Sequence, residues 1–164
     1  MRVARPEEYE ALGELTARAY LDDGHLDFGV HDAYLDVLRD VPRRAAEAEV
    51  LVALDGAGRP AGGVTFVSGP TSPWADIARE GEAEFRMLAV SADARGRGVG
   101  ESLVRACVER ARATPGCRRV VLSTQPGMTS AHRVYERLGF VRTPGRDWEP
   151  IPGLVELRTY ALEL

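Results

Sequence analysis

"LAVSADARGRGVGESLV", residues Leu88 to Val104, decides how the rest of the chain is read. It opens on the apolar end of a β-rich run. It then passes through Gly96, Gly98 and Gly100, with Arg95 and Arg97 among them, and runs into a helical pattern. Leu103, Val104, Cys107, Val108 and Ala111 form the apolar stripe of a helix from Gly98 to Ala113, stopped by Pro115-Gly116. A strand, a glycine loop and a helix in that order leave the first N–H groups of the helix without helical partners and able to face one anion. Glycines let that anion approach without Cβ atoms in the way, and the arginines add charge. A flexible turn with solvated charges is the competing reading. Neither common nucleotide loop fits. A Walker loop needs a lysine after its last glycine, and none follows here. A dinucleotide fingerprint has its third glycine where this chain has Glu101.

The elements around this loop predict a mixed α/β sheet. Upstream, "EAEFRMLAV" (Glu82 to Val90) alternates Phe85, Met87 and Ala89 against Glu84, Arg86 and Leu88, then turns wholly apolar, as a strand buried on both faces does. "EVLVALD" and "GGVTFVSG" form a hairpin through Asp55-Gly56. Before it, Glu7 to Tyr20 and Asp32 to Leu38 carry helical periodicity, the second bounded by Pro42, and Val3 to Arg5 reads as a short strand. Downstream come the strand "RRVVLST", a helix from Met128 to Leu138 stopped by Gly139, and the strands "FVRT" and "VELRTYALEL" around the loop "PGRDWEPIPG". A strand–helix–strand crossover, right-handed by rule, lies at the centre. The whole chain, 1–164, is expected to form one domain.

Composition narrows the function classes. The chain is 45% hydrophobic and 28% charged with a formal net charge of −4, so its surface as a whole does not suit nucleic acid or an anionic membrane. No apolar run is long enough to span a bilayer, and the charged start "MRVARPEEYEAL" lacks a signal-peptide core, so a cytoplasmic protein is expected. Cys107 and Cys117 have no partner at metal or redox spacing and read as reduced and structural. His25, His31 and His132 are scattered, so no metal is expected, and His132 is placed on the exposed side of its helix.

The glycine loop closely resembles the signature of the GCN5-related N-acetyltransferase (GNAT) family, in which a strand leads into Arg/Gln-x-x-Gly-x-Gly/Ala and then a helix. Arg95, Gly98 and Gly100 occupy its defined positions. "SAHRVYERLGF", Ser130 to Phe140, resembles the same family's later motif, with an Ala and a Tyr on a helix ending in Gly-Phe. The order of strands and helices over the chain agrees. The resemblance implies a GNAT-like fold, with a central mixed sheet of splayed middle strands flanked by helices, and acetyl-CoA as co-substrate. Backbone amides from Arg95, Gly96, Arg97, Gly98, Val99, Gly100 and Glu101 would take the pyrophosphate. Pantetheine would lie along Leu88, Ala89 and Val90. At Met128 the chain departs from the asparagine that many members use to contact the cofactor.

Acetyl transfer to an amine sets three chemical demands. An alkylammonium has a pKa of about 10, so a base must take a proton before the nitrogen attacks. The carbonyl oxygen needs a fixed donor as it gains charge. The leaving thiolate, with a parent pKa of about 8.5, is helped by an acid. Glu84 is the candidate base, with a solvated or ion-paired strand glutamate as the alternative, and Glu82 is the second choice. Tyr135 shares the apolar stripe of Ala131 and Leu138 and on periodicity reads as core; in the family the matching tyrosine faces the CoA sulfur, which makes it the candidate acid. Asp22, Asp23, Asp27 and Asp32 cluster in a loop that suits a cationic amine acceptor or is merely solvated. Trp74 and Trp148 either wall an acceptor site or anchor their loops.

The expected activity is N-acetyl transfer from acetyl-CoA to an amine on a small molecule or a protein. A non-catalytic acyl-CoA-binding module of the same fold is the alternative, and a nucleotide-phosphate binder is a third reading. The acceptor is open, and the C-terminal strands could pair two copies into a homodimer.

Overall fold

The computed structural model describes residues 1–164. In chain order its elements are β1 (Arg2–Val3), α1 (Tyr9–Asp22), α2 (Tyr34–Arg39), α3 (Val41–Glu47), β2 (Glu49–Leu54), β3 (Pro60–Val67), β4 (Glu82–Val90), α4 (Val99–Ala113), β5 (Arg119–Thr124), α5 (Thr129–Arg137), β6 (Val141–Arg142), β7 (Trp148–Ile151) and β8 (Val155–Glu163). The strands lie in the order β1-β2-β3-β4-β5-β8-β6, with β7 added to β8. Every pairing is antiparallel except β4 with β5, which the α4 crossover joins in parallel.

Period-two alternation sorts the sheet's side chains onto two cores. Leu51 and Ala53 of β2 join a large cluster with α4 and α5, whereas Val50 and Val52 face α1 and α3. Leu103, Val104, Cys107 and Ala111 of α4 are fully buried in the first of these, as their helical spacing predicts. On the opposite face a smaller cluster holds Ala17 of α1, Leu35 and Leu38 of α2, Trp74 and Met87. Gly63 of β3 lets α1 pack close, because a Cβ there would stand 2.6 Å from a methyl of Leu12, which packs with Val50 and Val52.

Two elements escaped the sequence pattern. Pro42, read as the boundary of the preceding helix, instead sits in the first turn of α3, where its missing N–H costs nothing. Asp40 caps that helix by accepting the Arg43 N–H at 3.1 Å. The stretch read as the loop "PGRDWEPIPG" contains β7, which pairs Trp148 with Leu157 and Ile151 with Val155. Its prolines are tolerable because β7 lies off the main path of the sheet.

The decisive irregularity lies in β4. Met87 has φ 53°, the one non-glycine residue with positive φ, and the pairing with β3 slips between Gly63 and Thr65 opposite it. This bulge corrects the regular alternation expected for Glu82 to Val90. Phe85 faces the α4–α5 side, but Met87 packs with Trp74 on the other, and Leu88 returns to the first side. Pairing of β4 with β5 also ends early, at Glu84 opposite Val121, although β4 continues to Val90 and β5 to Thr124. Beyond Glu84 the two central strands therefore separate.

Candidate functional site

The separated strands open onto a cleft of ≈ 640 Å³. One wall is Leu88, Ala89 and Val90, followed by Arg95, Gly96, Gly98, Val99, Gly100 and Glu101, and the other is one side of α5, with Ala131, Val134 and Arg137. Arg97 is exposed and lies outside the lining. Gly96 (φ 71°) and Gly98 (φ 77°) are both left-handed, and nothing stands within 4 Å of where their Cβ atoms would be. Backbone conformation, rather than crowding, is what requires glycine at these two positions. Gly98 is the N-terminal cap of α4, and the first turn of that helix leaves its leading N–H groups unpaired beside the cleft. The loop thus offers an anion both amides and the positive end of a fifteen-residue helix.

Arg95 is engaged within the protein. It donates to both carboxylate oxygens of Asp23, at 2.9 and 3.0 Å, and both residues line the cleft. Arg137 lines it too, held by Glu101, which also accepts from Arg105. Arg137 carried no signal in the sequence beyond a place in the last turn of a helix.

A second cavity, of ≈ 300 Å³, adjoins the cleft through the shared residues Tyr20, His25 and Met128. Glu84 is its most unusual wall residue. The side chain is 0% exposed. Its Oε2 accepts the N–H groups of Asp76, Ile77 and Ala78, each at 3.0 Å, while Oε1 has no partner. Burial raises the Glu84 pKa, and the Ile77 and Ala78 amides do not offset it. A carboxylate clamped at one oxygen and without a partner at the other is fixed in direction and keeps one acceptor unused.

Tyr135 of α5 is buried at 4% exposure among Phe85, Phe140 and Tyr160, with ring centroids 5.8, 6.0 and 5.8 Å away. Burial pushes its phenol well above the ordinary range, so the proton is retained at neutral pH. The hydroxyl makes no hydrogen bond within the protein, yet it is not among the sealed-off polar atoms, which are Arg44 Nε and Glu84 Oε1. Its neighbours Ala131 and Val134 face the cleft. Met128 stands between the two spaces, and its sulfur accepts from Thr124 Oγ1 at 3.5 Å.

Other expected roles change. Glu82 does not reach the cavity; Arg146, Arg119 and the Arg79 N–H occupy its oxygens at 2.8–3.0 Å. Burial would raise its pKa, but these donors outweigh burial and lower it, so Glu82 is a structural ion-pair centre. His132 is 8% exposed rather than on an outer face. Its Nε2 lies 3.1 Å from the Gln125 carbonyl, which can only accept, so that nitrogen carries the proton. Trp74 is an anchor, donating to Glu47 at 2.8 Å beneath the guanidinium of Arg86. Trp148 lines the cavity, with its indole N–H on Ser123 at 3.0 Å. Of the acidic loop, Asp27 and Asp32 line the cavity, Asp23 lines the cleft, and Asp22 faces solvent. Tyr34, Asp76 and Arg86, which no motif singled out, complete the cavity wall. No group of three His, Cys, Asp or Glu side chains is arranged to hold a metal ion, and no helix is long and apolar enough to cross a membrane.

Comparison with known proteins places this geometry in a wider setting. The sequence profile of the acetyltransferase (GNAT) family matches residues 9–140. A mycothiol acetyltransferase from Saccharopolyspora erythraea is 38% identical over 69 residues, which are 42% of this chain and 22% of that protein. The match thus spans about a fifth of that relative's length. Among solved structures, a GNAT-family acetyltransferase from Staphylococcus aureus Mu50 superposes with a TM-score of 0.75 at 13% identity, covering 99% of this chain and 97% of that one. A GCN5-related N-acetyltransferase from Kribbella flavida gives 0.70 at 21% identity, covering 99% and 96%. At these identities the structures establish a shared fold.

Proposed function

The chain belongs to the acetyltransferase (GNAT) family, and from that premise we propose that residues 1–164 act as one domain transferring an acetyl group from acetyl-CoA to the nitrogen of an amine. One observation carries the proposal: the gap between β4 and β5 opens a cleft that meets, at Met128, a cavity with Glu84 in its wall.

Acetyl-CoA supplies an acyl group activated by a thiolate leaving group. The amides from Arg95 to Glu101 and the N-terminus of α4 suit its pyrophosphate, and Leu88, Ala89 and Val90 offer backbone with no partner on the β5 side. This fit needs neither a lysine nor a metal. Glu84, in the cavity wall, takes a proton from the incoming ammonium through a water that reaches it, and burial, by raising its pKa, favours that uptake. A β4 amide beyond Glu84, where β5 no longer pairs, serves as a fixed donor to the carbonyl oxygen. Tyr135 holds a proton at its hydroxyl for the leaving sulfur. Acetyl-CoA is abundant in the cytoplasm, which is the compartment we assign.

The test is a pair of measurements on the purified protein. Acetyl-CoA is expected to raise the melting temperature, where ATP and NAD do not, and an amine panel is expected to release free CoA. Stabilisation by acetyl-CoA with no release from any amine would leave a non-catalytic acyl-CoA-binding module instead.

A further inference from the structure

We infer that the acceptor is a compact amine with an apolar carbon end and no carboxylate, an inference that rests on the transferase reading above. The cavity beside Glu84, at ≈ 300 Å³, lies at the small end of ligand sites and admits about one ring or branched chain with its amine. Its charges are strongly one-sided. Asp27, Asp32, Asp76 and Glu84 line it against a single guanidinium, that of Arg86.

Arg86 is not free to receive an anion. One of its terminal nitrogens is bound to Asp76 at 2.9 Å and the other to the Trp74 carbonyl at 2.9 Å, with the guanidinium over the Trp74 ring. The carboxylate of an amino acid would therefore enter among carboxylates with no cation to meet it. An ammonium group finds the reverse. The Glu84 Oε1 atom, wholly buried and unpartnered, is an acceptor still in need of a donor. Asp27 makes no hydrogen bond or ion pair in the protein, while Asp32 accepts the Tyr34 N–H at 2.9 Å on one oxygen and the Phe28 N–H at 3.4 Å on the other.

The remaining wall fixes the other end of the molecule. Trp148 has its only polar atom committed to Ser123 and so offers the cavity a hydrocarbon face. At the lining's solvent-exposed positions stand two apolar residues from separate segments, Phe28 at 60% exposure and Ile151 at 48%. Large apolar side chains left in water around a cavity suit a ligand whose carbon end covers them. A polyamine would leave Phe28 and Ile151 uncovered and would bring more ammonium groups there than the one exposed and unpaired acid of the lining, Asp27, can meet.

The experiment compares matched pairs at fixed acetyl-CoA: 2-phenylethylamine against phenylalanine, and 3-methylbutylamine against leucine, with spermidine as a third arm. Each amine is expected to exceed its amino acid in kcat/KM by at least roughly tenfold, the scale on which an unpaired buried charge discriminates. Each is also expected to exceed spermidine. Asp27→Lys, at an exposed position that folding does not need, should raise KM for 2-phenylethylamine roughly tenfold while acetyl-CoA still stabilises the protein. Equal rates on amine and amino acid, a preference for spermidine, an unchanged KM in Asp27→Lys, or CoA release with other amines but with neither 2-phenylethylamine nor 3-methylbutylamine overturns this inference alone. Absence of CoA release with every amine, whether or not acetyl-CoA stabilises the protein, overturns the transferase reading itself.

Discussion

Arg95 grips Asp23 with two parallel hydrogen bonds, joining the glycine loop to the residue that ends α1. Asp23 and Arg95 are 36% and 43% exposed, so the pair contributes little to stability and can yield to a stronger anion. Asp23→Asn would leave the guanidinium free beside the cleft. The expected outcome is a dissociation constant for acetyl-CoA roughly two- to fivefold tighter, with steeper salt dependence, measured by calorimetry at two ionic strengths. Weaker binding would mean that the pair holds the loop in its binding shape.

Glu84→Gln keeps the shape and the three amide contacts but removes the base. A fall in kcat of about 10²- to 10⁴-fold is expected, with acetyl-CoA affinity retained. The pH profile gives an independent check. Because burial raises the Glu84 pKa, the wild-type acidic limb should lie above the ordinary glutamate value, with activity falling as pH drops through it. Residual activity of the Gln variant should lack that limb.

The same substitution predicts a stability change of definite sign. The folded-state pKa lies above the unfolded one, so ionised Glu84 opposes folding fully above the folded pKa and not at all below the unfolded pKa. Relative to wild type, Glu84→Gln should therefore melt higher at neutral pH, and the advantage should vanish as pH falls below the ordinary carboxylate range. A lower melting temperature at pH 7 would contradict it.

Tyr135→Phe removes a hydroxyl that has no partner in the protein and leaves the ring among Phe85, Phe140 and Tyr160. Stability should change by less than about 1 kcal/mol, since no hydrogen bond is lost. A thiolate leaves without full acid assistance, so kcat should fall by about ten- to a hundredfold rather than to zero, with little change in acetyl-CoA affinity. An unchanged kcat would assign Tyr135 to packing alone.

Gly98→Val tests the loop. No atom lies within 4 Å of the new Cβ, yet φ 77° at the helix cap costs a β-branched residue about 1–2 kcal/mol. The strain should relax by moving the first turn of α4, so acetyl-CoA binding is expected to weaken at least tenfold while far-ultraviolet circular dichroism stays native. Wild-type affinity in this variant would remove the loop from the binding site.

Local spacing made the cofactor side legible. Three glycines before a helical stripe, and a second helix ending in Gly139-Phe140, are each contained in a short window. They appear in the structure where periodicity placed them, within a residue or two. The errors have a common origin. His132 was assigned outward from the pattern of its own helix, but Tyr160, from a strand 28 residues on, covers it with ring centroids 5.6 Å apart. Glu82 and Glu84 lie two residues apart on one strand, and nothing in their own pattern separates the second choice from the first. Arg146 and Arg119 close around Glu82, whereas three amides of residues 76–78 take one side of Glu84 and leave the other bare. Pro42 and β7 were missed because a proline marks a helix start as readily as a stop, and because β7 is defined by its partner rather than by its own composition.

The sequence by itself determined the strand–loop–helix at Leu88 to Val104, the apolar stripe of α4, the late helix of Tyr135 and the mixed α/β architecture. These follow from interactions between residues close along the chain. The tertiary structure alone decided the left-handed bulge at Met87, the parting of β4 from β5 beyond Glu84, the Arg95–Asp23 pair and a cavity walled by residues from Tyr20 to Leu157. Each depends on contacts between distant segments. Such contacts leave no period in the sequence, because neither partner's local pattern records what the fold will bring against it.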